Sequence, residues 1–236
     1  MIRLKTLLLA STLALGIAGG ASAQDFNAGH AAYLRKDYTE AMAQWLPLAQ
    51  QGHDLAQFNL AIFYQNGLGV PQDYAEAARW YKLAAEQGID QAQLNLAIFY
   101  QDGLGVPQDY AEAMRWYLLA AQQGDARAQN NLGIMYTNGQ GVPQDYVEAA
   151  RWYRLAAEQG NPRAQNNLGS IYVLGHGVPQ DYVIAHMWLN LAAASGAQDA
   201  SDKRETLVNR MTPAQVSEAQ ALASKCLAQD YKNCGR

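Results

Sequence analysis

The chain has 236 residues, half of them hydrophobic and 16% charged, and its 17 basic against 21 acidic side chains leave a net charge of −4. A mildly acidic balance with no basic stripe argues against electrostatic binding of nucleic acid. Two cysteines are too few for a disulfide-built scaffold.

Taken in chain order, residues 1–23 carry Arg3 and Lys5, an apolar run from Leu7 to Ala18, and then Ala21-Ser22-Ala23. This is the charged, apolar, small-x-small pattern that signal peptidase reads, so a secretory signal peptide cleaved before Gln24 is expected. The apolar run is short for a membrane-spanning helix. The implied location is the periplasm or the exterior, without stable membrane insertion, and loss of Arg3 and Lys5 would take the net charge to −6.

Residues 24–52 predict an abbreviated helix pair. Phe26 to Arg35 supply a short first helix, and Tyr38, Ala41 and Trp45 a second that stops at Gly52. From residue 53 to residue 196 the pattern becomes periodic. Gly-Val-Pro-Gln-Asp-Tyr begins at Gly69, Gly105, Gly141 and Gly177, each 36 residues after the last. A fixed period of that size marks a stacked array, because each unit repeats the same contacts with its neighbours.

Within the first copy, Ala56, Leu60, Phe63 and Tyr64 recur at helical spacing and Gly67 ends the helix. Asp73 starts the next helix as its N-cap, and Glu76, three residues on, is expected to reach back in a capping box. Ala77, Trp80, Tyr81 and Ala84 supply the second apolar face. One such hairpin cannot bury its own apolar face, so stability must come from contacts between successive hairpins. The Trp80, Trp116, Trp152, Trp188 ladder is expected to meet the small residues Ala61, Ala97, Gly133 and Gly169. Asn59, Asn95, Asn131 and Asn167 are expected to staple neighbouring loops through their carbonyls.

Residues 197–236 lose the period. Ala200 to Met211 and the stretch from Thr212-Pro213-Ala214-Gln215 onward predict two closing helices, the atypical end that an array needs. Cys226 and Cys234 lie there, and an exported location would permit a short disulfide that pins the tail.

The run Ala-Gln-x-Asn-Leu-Gly/Ala-x-x-Tyr, as at Ala128 to Tyr136, leads into Asn-Gly-x-Gly-Val-Pro-Gln-Asp-Tyr and then Glu-Ala-x-Arg-Trp-Tyr-x-Leu-Ala-Ala-x-Gln-Gly. This closely resembles the Sel1-like repeat, a relative of the tetratricopeptide repeat. The resemblance implies an all-α, right-handed superhelical solenoid of antiparallel helix pairs used as an adaptor for other proteins. It also implies, for an exported bacterial member, a role in the cell envelope.

Chemistry finds little support. The Asp73, Asp109, Asp145 and Asp181 carboxylates recur at every second-helix start, where capping explains them. Gly67-Leu68-Gly69 lacks the strand and the lysine of a phosphate loop. His30, His53, His176 and His186 form no metal-ligand spacing, and no activated-nucleophile motif appears, so no enzyme activity, cofactor or metal is expected. Cysteine-rich relatives have been linked to penicillin binding and weak β-lactamase activity, but this chain has no Cys between residues 24 and 225. Its Tyr, Asn and Gln content leaves a peptidoglycan- or polysaccharide-binding module as a further alternative.

The informative positions are those that change between copies. Residues 55, 58, 62, 65 and 66 share a stripe of the first helix, which by the resemblance lines a concave groove. The copies read Leu55, Phe58, Ile62, then Gln91, Leu94, Ile98, then Arg127, Asn130, Ile134, then Arg163, Asn166, Ser170. This predicts a groove for a partner peptide or protein of the envelope, with apolar anchors near Phe58 and Leu94 and a carboxylate or acidic segment at Arg127 and Arg163.

Overall fold

A computed structural model describes residues 26–232 and 234, and the expected signal peptide lies outside them. Among the described residues there are twelve helices and no strand. They are α1 (Phe26–Leu34), α2 (Tyr38–Gln50), α3 (Asp54–Asn66), α4 (Tyr74–Glu86), α5 (Asp90–Asp102), α6 (Tyr110–Gln122), α7 (Ala126–Asn138), α8 (Tyr146–Ala157), α9 (Pro162–Leu174), α10 (Tyr182–Ala194), α11 (Gln198–Val208) and α12 (Pro213–Ala228). Consecutive helices pack on each other all the way to α11, which makes a solenoid of hairpins. α12 breaks the series by folding back against α10 instead of pairing with α11.

Several residues in and just before the repeated hexapeptide have distinct physical tasks. Gly67, Gly103, Gly139 and Gly175 end the first helices in the left-handed conformation, as glycine at a helix C-terminus does. The next glycine seats the loop on the preceding hairpin. A Cβ on Gly105 would lie 2.2 Å from the Tyr74 carbonyl carbon, and one on Gly177 would lie 2.4 Å from that of Tyr146. The glutamine then donates to a carbonyl near the end of the first helix, as Gln72 does to Gln65 at 2.7 Å. The aspartate accepts from the second helix's first free amides, as Asp73 does from Ala75 and Glu76. In the first copy the tyrosine ring meets an aromatic of the next, with Tyr74 edge-on to Phe99 at 5.9 Å.

Glu76 does not complete a capping box. Its carboxylate instead takes the Arg79 guanidinium at 2.8 Å, and Arg79 lies over the Trp80 ring at 4.2 Å; Arg115 and Arg151 repeat both contacts. A capping box is present at α12, between Thr212 and Gln215.

The small residues and the tryptophans are also paired differently from expectation. A Cβ on Gly133 would lie 2.5 Å from the Tyr153 ring, and one on Gly169 would lie 2.8 Å from Leu189. In these two copies the residue after the tryptophan, Tyr153 or Leu189, lies nearest this space, not the tryptophan itself. The indole is buried one position away, and the N–H groups of Trp80, Trp116 and Trp152 have no acceptor among the described residues.

Glutamines, not asparagines, staple the copies to the preceding carbonyls. Gln57, Gln93, Gln129 and Gln165 are buried and donate to Ala49, Ala85, Ala121 and Ala157, the last turns of the preceding second helices. The amide oxygens of the first three accept from Gln87, Gln123 and Gln159, which end the second helix of the same copy. Asn95 and Asn131 lie beside the phenols of Tyr81 and Tyr117 in the previous copy. Asn167 donates to Asn130.

The fourth copy has Ser195 where the others have glutamine, and the Gln165 oxygen is fully buried with no partner among the described residues. Ser195 has φ −88°, almost the same as the −87° of Gln87, so a glutamine fits its backbone. Ser195→Gln is expected to raise stability by about 1 kcal/mol by satisfying that oxygen. Denaturant unfolding followed by circular dichroism checks it.

Cys226 and Cys234 form a disulfide. The ring it closes places Asp230 and Tyr231 in the left-handed region and sets the Tyr231 ring within 3.0 Å of a Cβ built on Gly160. Reduction is expected to cost about 2 kcal/mol locally, the chain-entropy value for so short a loop. In hydrogen exchange the end of α12 should lose protection while α3–α8 keep theirs.

Candidate interaction surface

The copy-to-copy variable stripe runs along the first helices α3, α5, α7 and α9, and its members fall into three groups. Leu55 is 42% exposed, while Phe58, Ile62, Ile98 and Ile134 are half-buried and Gln91 is exposed. Phe58 is held against Tyr81, ring centroids 6.0 Å apart. Leu94 and Asn130 are buried, at 2% and 3% exposure, and contribute packing instead of surface. The repeat pattern marks both as variable, but it carries no information about how the neighbouring hairpin covers them.

The polar end is already connected internally. Arg127 pairs with Asp125 at 2.8 Å. Burial pushes the Asp125 carboxyl up, but the Arg127 guanidinium and the first amides of α7 outweigh it and hold the carboxyl below its ordinary value. Asn130 lies between Asn131 and Asn167. Asn166 donates to Asp199 at 2.9 Å and accepts from Lys203 at 3.2 Å, and Lys203 pairs with Asp199 at 2.8 Å. The Lys203 ammonium, followed by Asn166, keeps Asp199 below its ordinary value. Asp199 and Lys203 come from the closing helix α11, which has no place in the repeat and so could not be read from the period. Arg163 is exposed and forms no ion pair among the described residues.

Groups able to do chemistry are committed elsewhere. Burial raises the phenol pKa values of Tyr81, Tyr117 and Tyr153 above the ordinary tyrosine value. Their hydroxyls bond Gln65, Gln101 and Thr137 in that order. His53 caps α3, His176 lies against the Tyr146 ring, and His186 is buried in α10, where burial and then the Arg204 charge lower its pKa. Among the described residues no group of three His, Cys, Asp or Glu is placed to hold a metal ion. No described helix is long and apolar enough to cross a membrane. The stripe runs from apolar at α3 to polar at α9.

The Sel1 repeat model matches residues 54–89, 90–125, 126–161 and 162–196. Among solved structures, the chain is 36% identical to a protective antigen of uropathogenic Escherichia coli with an SLR fold, at a TM-score of 0.77. That match covers 93% of this chain and 51% of the antigen, so the chain spans about half of that protein. A Sel1 repeat protein from Oxalobacter formigenes is 31% identical over 90% of this chain and 86% of its own, at a TM-score of 0.73. No curated protein matches. Four matched repeats covering more than half the sequence, on a fold that superposes on two such structures, establish that the chain belongs to the Sel1 repeat family.

Proposed function

We propose that this chain is a non-catalytic scaffold of the bacterial cell envelope that holds a peptide segment of another protein along α3–α9. Sel1 repeat proteins generally act as protein-interaction scaffolds, which supports the broad reading. The observation that carries the finer one is the polarity gradient of the stripe. Leu55, Phe58 and Ile62 offer apolar surface at one end, and Arg163 offers at the other a guanidinium with no ion pair among the described residues. A bound segment would place an apolar side chain at α3 and a carboxylate at Arg163, where bidentate pairing suits arginine. Arg127 contributes less, because Asp125 already neutralises it.

The expected signal sequence supports export, and fractionation of cells expressing the full chain tests the location. For the groove, affinity capture from periplasm with the wild type is compared with Arg163→Glu and with Leu55→Asp. Each variant is expected to lose the same captured partner by about ten-fold or more. Arg127→Glu is expected to lose less. Undiminished capture by both Arg163→Glu and Leu55→Asp would remove the groove from the reading.

A further inference from the structure

The first helices α3, α5 and α7 end in Asn66-Gly67, Asp102-Gly103 and Asn138-Gly139. Asparagine before glycine is the pairing most open to self-deamidation, because glycine has no side chain to shield its amide nitrogen. Once that nitrogen gives its proton to water or hydroxide, it attacks the asparagine Cγ, the bond to Nδ2 breaks, and ammonia leaves as a cyclic imide closes. Water then opens the imide at either carbonyl and leaves an aspartyl or an isoaspartyl residue. The folded chain resists the first step. Gly67 and Gly139 donate their amides to Phe63 and Met135, and the helical backbone of the asparagine before each keeps the nitrogen out of line with Cγ. Reaction therefore requires the helix end to open locally.

The two asparagine ends are not latched alike. The amides of Leu68 and Gln140 close the same turn, donating to Phe63 at 2.9 Å and to Met135 at 3.0 Å. Their side chains differ. Leu68, like Leu104 in the second copy, is half-buried against the core, the apolar contact that commonly seals a left-handed helix end. The third copy has Gln140 there, a polar side chain that cannot supply that contact. The asparagine side chains also point differently. Asn66 Nδ2 is held back on its own helix, donating to the Ile62 carbonyl at 3.0 Å, whereas Asn138 Nδ2 reaches past Gly139 to Gln140 Oε1 at 3.5 Å. The Asn138 amide is thus directed along the chain toward the reacting peptide, and that of Asn66 away from it.

We propose that Asn138 is a self-deamidation site that ages the joint between the second and third copies, while Asn66 is latched against the same reaction. The aspartyl product fits the site, since the second copy already carries Asp102 before Gly103 with the same left-handed end, φ +69° against +67° at Gly139. The isoaspartyl product does not fit, because it carries the main chain through Cβ and lengthens it by a methylene. That insertion falls just before the loop that seats Gly141 against Tyr110, where an added Cβ would lie 2.7 Å from the carbonyl oxygen. The same loop is closed by the Asp145 amide, which donates to the Tyr136 carbonyl at 3.0 Å. An isoaspartyl residue at this point therefore loosens the hold of the third hairpin on the second.

The full chain is incubated at mildly alkaline pH, and conversion at each asparagine is followed by peptide mapping with mass spectrometry. Asn138 is expected to convert about ten-fold faster than Asn66, the scale of a leucine contact missing from the latch. In the urea-unfolded chain the two should convert at similar rates. Gln140→Leu should slow Asn138 by about ten-fold, and Leu68→Gln should speed Asn66 by a similar factor. Aged protein should lose hydrogen-exchange protection at the Asp145 amide, whereas Asn138→Asp should keep it. Thermal melts confirm that each variant is folded. Equal rates at the two sites in the folded chain, a difference that persists after unfolding, or an Asn138 rate unchanged by Gln140→Leu would overturn the proposal. Full Asp145 protection in the isoaspartyl protein would overturn the loosening of the joint.

Discussion

Gly105→Ala is expected to destabilise the protein by about 4 kcal/mol, combining left-handed strain with a backbone clash. Gly105 has φ +66°, and its added Cβ would fall 2.2 to 2.4 Å from three backbone atoms of Tyr74 and Ala75. Backbone at the start of α4 cannot rotate away as a side chain can, so the hairpins must separate. At roughly 2–4 °C per kcal/mol for a chain of this size, the midpoint should fall by about 10 °C. Two control substitutions isolate the cause. Gly88→Ala, at φ +95° with open space around it, and Gly103→Ala, at φ +69° with its nearest atoms at 3.4 Å, carry mainly the conformational penalty of about 1 kcal/mol. Because solenoid units couple only to neighbours, Gly105→Ala should also broaden or split the melt. A fall no larger than that of Gly88→Ala would mean that this contact between hairpins is soft.

Gly133→Leu is expected to cost about 3 kcal/mol through overpacking. Gly133 stands where earlier copies have Ala61 and Ala97, and the difference is coupled to a second one. Tyr81 and Tyr117 bond the glutamines Gln65 and Gln101, whereas Tyr153 bonds the shorter Thr137 at 3.1 Å. Reaching the threonine draws the ring over the glycine, 2.5 Å from where a Cβ would be. Gly133→Ala alone should therefore destabilise, while Gly133→Ala with Thr137→Gln rebuilds the pairing of the first two copies and should recover most of the loss. A double-mutant cycle with no coupling between the two sites would refute this account.

Most of the fold was legible because periodicity, caps and glycine stops carry it. The helix starts at Asp73, Asp109, Asp145 and Asp181 and the left-handed ends at Gly67, Gly103, Gly139 and Gly175 could be read directly from residue types. What the sequence hid was partnership. A glutamate three residues after an N-cap fits both a capping box and an ion pair, and the arginine stacked on the adjacent tryptophan decides for the pair. Gln57 and Asn59 are two polar residues on one helix, and only the packing of the preceding hairpin shows which is buried against its carbonyls.

At the surface, variation between copies located the stripe but overstated it. Leu94 and Asn130 vary and are nonetheless buried. The salt-linked α11 residues Asp199 and Lys203 lie outside the period altogether. The α10 face carries its own sequence signal, the change from Glu-Arg to Ile-Met at Ile184 and Met187, which marks where α12 lies.

That exchange also dictates how the protein can grow. A thirty-six-residue unit duplicated within the interior, for instance between Gly88 and Gly124, would meet compatible surfaces on both sides. An extra unit appended beyond α10 would have to displace α12 and leave Ile184 and Met187 facing water. Lengthening by gene duplication is therefore open in the middle of the chain and closed at its carboxyl end.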